Sequence, residues 1–126
     1  AACLAYLIIL PQASAGVTSF GWDVKHAIPP KSSQRQLDAI TKTLDLTRPA
    51  EKTDVEKVMR RVAESAHGRG MVVLFSDLLT EREGLFKGLE MLRHRRHDVM
   101  VFHVLDDDEL TFPFDGMTRF EGLEDL

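Results

Sequence analysis

Three oxygen-bearing side chains stand where they could do chemistry: Thr53, Asp77 and Asp106. Asp77 follows the unbroken apolar run "MVVLF" after a single serine, and Asp106 directly follows the apolar run "VMVFHVL". In open parallel sheets, ligands bind outside the carboxyl ends of the strands. Two carboxylates at neighbouring strand ends could share one hard cation. With an open coordination position, such a cation would support a metal-assisted phosphoryl or ester hydrolase built on Asp77 and Asp106.

Each of these residues also has a plainer reading. Thr53 and Glu56 fit a helix capping box. Asp77 could favour the start of the next helix through its dipole. Thr80 and Glu83 already fit the cap there, which leaves Asp77 freer for another role. The acidic run "DDDE", from Asp106 to Glu109, reads as a solvated loop. His103 lies in an apolar run and reads as a neutral core histidine with one hydrogen bond. His94 and His97 sit in the basic helix end "RHRRH" and need no further role; Arg93, Arg95 and Arg96 read as a solvated face or a partner patch. No G-x-S-x-G elbow, phosphate-cradling glycine loop or H-E-x-x-H motif occurs, so nothing demands an enzyme.

The elements that must position these residues follow from periodicity. Ala1 to Leu10 is apolar almost all round, which suits a helix packed on a sheet, and Pro11 ends it. "AGVTSFG" and "WDVKHAIPP" read as two strands joined by a tight hairpin at Gly21. The second alternates like an edge strand and should stop at Pro29 and Pro30. Ser33 and Gln36 form a possible capping box for a helix from Ser33 to Leu44, with Leu37, Ile40 and Leu44 on one face. Val55, Val58, Met59, Val62 and Ala66 mark a second amphipathic helix, closed by "HGRG". Met71 to Phe75 lacks alternation, as expected of a strand covered on both faces. Leu85, Phe86, Leu89 and Leu92 recur at helical spacing, and a further apolar strand spans Val99 to Leu105. A short strand fits Thr118 to Phe120. The order points to a three-layer α/β sandwich whose strand-helix-strand unit from Met71 to Leu105 is parallel and right-handed.

The bulk numbers suit one domain. The chain has 126 residues, 44% hydrophobic and 29% charged, with formal charge -4. That balance lacks the basic footprint of a nucleic-acid binder. Cys3 is the only cysteine, so no intrachain disulfide can form. It reads as a small core residue in a reducing compartment, the cytoplasm. "AACLAYLIIL" is too short to span a bilayer and lacks the flanks of a signal peptide, so no membrane contact is expected of these residues. The chain starts without methionine, mid-helix in character, and reads as a fragment of a longer protein.

The stretches "RGMVVLFSDLL", "LRHRRHDVMVFHVLD" and "FPFDGMTRFEGLED", in that order and spacing, resemble the von Willebrand factor A-like proteins known as domain of unknown function 58. These are often encoded beside MoxR-type AAA+ ATPases. "AIPPKSSQRQLDAI" and "KTDVEKVM" fit the same family. The resemblance covers essentially residues 1–126 and implies a single, amino-terminally truncated domain. The implied fold is a three-layer, Rossmann-like sandwich. Its sheet is mostly parallel with one antiparallel edge strand, and the first strand is lacking. Many such domains carry a metal-ion-dependent adhesion site for Mg²⁺ or Mn²⁺, and the resemblance puts Thr53 and Asp77 on its threonine and aspartate positions. The site's D-x-S-x-S loop occurs nowhere in this chain, so the cation should bind weakly or not at all. The implied function is a non-enzymatic protein-interaction module whose partner is a MoxR-type AAA+ ATPase or its client. The absent strand should be compensated in one of three ways: direct pairing of its neighbours, a strand from a second copy that makes a homodimer, or residues omitted from the chain in view.

Overall fold

A computed structural model describes residues 1–21, 23–47, 54–66 and 68–119. The elements run α1 (Ala2–Ile9), β1 (Ala15–Phe20), β2 (Val24–Lys31), α2 (Gln34–Leu46), α3 (Val55–Ser65), β3 (Met71–Ser76), α4 (Arg82–His94), β4 (Asp98–His103) and α5 (Asp107–Thr111). The chain is mixed α/β, with one antiparallel and one parallel pair of strands. No helix of the described residues is long and apolar enough to cross a membrane.

The hairpin forms as the sequence predicts. β1 and β2 pair antiparallel with Phe20 opposite Val24, and Gly21 donates its N–H to the carbonyl of Asp23 across the turn. The prolines do not end β2: pairing continues to Ala15 opposite Lys31. An outer strand tolerates residues that cannot donate to a ladder, and both Pro29 and Pro30 are exposed.

The expected capping boxes resolve differently. Ser33 is the N-cap of α2 but makes no side-chain cap bond. Gln36 is instead buried and turns away from it, donating from Nε2 to the carbonyls of Ala15 and Pro29, both at 2.8 Å. One amide thus ties α2 to both strands of the hairpin. Gln36→Leu, which keeps the bulk but removes both donors, is expected to cost about 1–3 kcal/mol. Urea unfolding should show a lower midpoint at unchanged slope. At α3 the cap is Asp54, whose Oδ1 accepts from the N–H of Lys57 at 3.0 Å; Thr53 lies outside the described residues. α4 starts after Glu81, so Thr80 does not cap it. The acidic run is no loop: Asp106 caps α5 with a full capping box to Glu109.

Two hydrophobic clusters organise the molecule. In the first, Val55, Met59 and Ala63 of α3 recur every four residues and meet Leu85 and Leu92 of α4 over Leu74 of β3. Phe86, expected inside, is 57% exposed. The second cluster joins Ala5 and Ile9 of α1 to Ala15 of β1 and Ile40 of α2. Cys3 lies on the exposed side of α1, outside this core. The hairpin turn is tied to α3 by ions. Asp23 Oδ2 is 3.0 Å from Lys57 Nζ, and its Oδ1 is 3.3 Å from Arg61 Nε.

The hydrogen bond from Lys57, then that from the Val24 N–H, hold the Asp23 carboxyl below its ordinary pKa of 3.8. Because the folded value is the lower one, this contribution to stability is present above pH 3.8 and lost as pH falls through the depressed value. Wild type and Asp23→Asn should therefore differ in thermal midpoint at neutral pH and converge in strong acid.

β3 and β4 form the expected parallel unit around α4, with Met71 opposite Asp98 through to Ser76 opposite His103. The register places Phe75 beside Phe102, and their rings stack at 4.8 Å. A single, mostly parallel sheet is not what the described residues form. β1–β2 and β3–β4 share no ladder. Between them lies a cleft of about 840 Å³, lined by consecutive residues of β1 and β3. Direct pairing of these two strands, one of the three expected remedies, does not occur. No strand is present at Thr118 or Arg119, and Phe120 lies outside the described residues.

Candidate functional site

The carboxyl ends of β3 and β4 lie side by side, as parallel pairing requires, and Asp77 is exposed there. The turn after β3 is held by its own side chains. Ser76 Oγ accepts from the N–H of Leu78 at 3.0 Å, and Asp77 Oδ1 accepts from the N–H of Leu79 at 3.2 Å. Leu78 takes a left-handed conformation, φ 59°, a costly state for a non-glycine residue. His103 is exposed rather than buried in the core. Its Nε2 donates to the backbone carbonyl of Asp77 at 2.9 Å, stitching the two strand ends together.

This geometry limits what the site can hold. Asp77 offers one carboxylate, with Oδ1 already engaged by a backbone amide. Asp106 spends Oδ1 on the N–H of Asp108 at 3.0 Å. Among the described residues, no group of three or more His, Cys, Asp or Glu side chains could hold a metal ion. A hard cation needs about six oxygens in a tight shell, so the described donors do not fit Mg²⁺ or Mn²⁺. Calorimetric titration of this chain with either ion is expected to show no saturable binding below about 1 mM; a site with micromolar affinity would contradict this reading of the donor set.

Two polar residues, Ser19, which the sequence did not single out, and His97, which it read as needing no further role in the basic helix end, are buried without partners. Ser19 is 9% exposed and its Oγ has no hydrogen-bond partner; it lines the cleft between the two strand pairs. His97 is 6% exposed, and neither ring nitrogen has a partner. Buried polar groups are normally satisfied, so these two are exceptions that need a cause. For Ser19 the available signal was its place one residue before the apolar Phe20 in a short strand. For His97 it was the step from a basic helix end straight into a strand.

No curated protein and no solved structure matches this chain. The model of one family does match, over residues 1–125, under the description "Protein of unknown function DUF58". The chain therefore belongs to the DUF58 family.

Proposed function

We propose that this chain is a non-enzymatic protein-interaction module that seats one extended, apolar strand between β1 and β3, supplied by a partner polypeptide or by further sequence of the same protein. The observation that carries this reading is the cleft itself. Consecutive residues of β1 and β3 line it, with Val58, Met59 and Val62 of α3 and Ile40 and Leu44 of α2 as apolar walls. Among the described residues, each of the two strands has a hydrogen-bonded neighbour on one side only. Free backbone donors and acceptors along a strand edge are a template for another strand. Apolar side pockets beside them would select alternate side chains of the incoming segment.

The finer setting comes from the resemblance. It favours a partner in a MoxR-type AAA+ ATPase system, either the ATPase or its client. A cation belongs to this reading only as Mg²⁺ or Mn²⁺ whose remaining oxygens come from beyond Asp77, with Thr53 as one candidate. The hydrolytic alternative is less well supported, because the Asp106 carboxylate already caps α5.

The test is amide hydrogen exchange on the 126-residue chain with and without short extended peptides of alternating Val and Thr. Strand addition should slow exchange along both β1 and β3 at submillimolar peptide. Unchanged exchange at saturating peptide would sink the proposal, unless light scattering shows a dimer with both edges already protected, which would assign the seat to a second copy of the chain.

A further inference from the structure

At the opposite end of the parallel pair, where β3 and β4 begin, a second recess of about 760 Å³ opens. Its lining includes Arg69, Arg93, Arg95, Arg96, His97 and Asp98. Four arginines and one aspartate thus contribute to one recess. Among the described residues, neither Arg69, Arg93 nor Arg96 makes an ion pair. Arg95 is fixed in place by donating from Nη1 to the carbonyl of Ala63 at 2.9 Å, which leaves its other N–H groups available.

The chain's course here breaks two local rules at once. α4 ends in a Schellman motif: the N–H of Arg96 reaches the carbonyl of Arg93 at 2.9 Å, and that of His97 reaches Leu92 at 3.1 Å. The left-handed residue of such a motif is usually glycine, yet Arg96 occupies it at φ 65°. The next residue usually supplies an apolar contact, yet His97 is buried there with both ring nitrogens unpaired. Cations do complement the negative end of a helix dipole. That effect accounts for Arg93 and Arg95 but calls for neither a strained Arg96 nor an orphaned imidazole. Departures from local preference that coincide in one place point to a site.

We propose that this recess binds a compact, multiply charged phosphate oxyanion of the di- or triphosphate class, with Arg69, Arg93 and Arg96 as charge-assisted donors above the buried His97 ring. Guanidinium groups suit phosphate because their planar N–H pairs match its oxygens. This site is independent of the strand-seating cleft, so either reading can fail without the other.

The test is calorimetric titration of the 126-residue chain with inorganic pyrophosphate, ADP and sulfate, at low and moderate salt. Pyrophosphate and ADP should both bind, sulfate at least roughly tenfold more weakly. Equal affinities for the first two would identify the bare oxyanion as ligand, and a tighter ADP would identify the nucleotide. Arg96→Gly relieves the backbone strain, so its thermal midpoint should hold or rise while pyrophosphate affinity falls roughly tenfold or more. The His97 ring signals should shift on binding. Pyrophosphate affinity that survives Arg96→Gly, or no binding up to about 10 mM, would overturn the assignment.

Discussion

Leu92→Ala is expected to destabilise the chain by about 2–5 kcal/mol. Leu92 is fully enclosed, at 0% exposure, and sits where α4 meets Val55, Met59 and Ala63 of α3 and Leu74 of β3. Removing its branched end leaves a void that helices on one side and a strand on the other cannot both close. The backbone carbonyl of Leu92 still accepts from His97 in the variant, so the helix terminus is retained and the loss reports packing alone. Small domains have only about 5–15 kcal/mol of stability in hand, so a large part of the margin would go. Chemical unfolding followed by circular dichroism measures the effect. A loss under about 1 kcal/mol would mean that this cluster is not the core it looks to be.

Gly88→Val should be the next most damaging change, through excess volume instead of a void. A Cβ built on Gly88 would lie 2.6 Å from Cβ and 2.7 Å from Cγ of Met59, inside contact distance of atoms that cannot swing away. Gly84, one turn earlier, faces α3 more loosely, its Cβ position 3.4 Å from that of Glu56. The two glycines let α3 and α4 approach closely along one face. Overpacking of this kind costs about 1–3 kcal/mol and sometimes more. The sign separates this cause from helix propensity, since on an open face glycine replaced by alanine gains up to about 1 kcal/mol. Gly88→Ala should therefore destabilise, and Gly84→Ala should be near neutral or stabilising. Shortening Met59 should cost less in the Gly88→Ala background than in wild type. Strict additivity of the two changes would rule out the contact as the cause.

Both variants act on the half of the molecule that carries both candidate sites. Asp77 and the arginine recess lie at opposite ends of the same β3–α4–β4 unit, and the strand-seating cleft runs along the free edge of β3. Measurements of binding on Leu92→Ala or Gly88→Val therefore have to be made where the variants remain folded. Arg96→Gly avoids this constraint, because it removes a guanidinium while easing the backbone.

Much of the local architecture was legible from residue pattern. The stripe of Leu85, Phe86, Leu89 and Leu92, of which only Phe86 turned outward, the unbroken "MVVLF" run and the glycine ahead of the alternating "WDVKHAIPP" each reported a local pattern, and each element formed near its expected place. The caps were less legible. Ser33 and Gln36 have the spacing of a capping box, but the Gln36 amide is worth more bonded to two buried carbonyls than to an exposed helix end. Asp106 and Glu109 were read as solvent-facing charge, yet they satisfy the amides of a short helix. Oxygen-bearing side chains near a turn have several partners in reach, and sequence spacing alone does not rank them.

By itself the sequence determined the kind and order of the elements from α1 to β4, the parallel β3–α4–β4 unit and the strand-end position of Asp77, but not α5. Hydrophobic period fixes which side of an element turns inward and how adjacent elements connect. Only the tertiary structure decided that the two strand pairs stand apart across a cleft, that His97 is enclosed just past the end of α4, and that the Asp106 carboxylate caps α5. Those outcomes depend on which backbone edges meet and which distant side chains close over a residue, and a one-dimensional pattern of polarity carries no information about either.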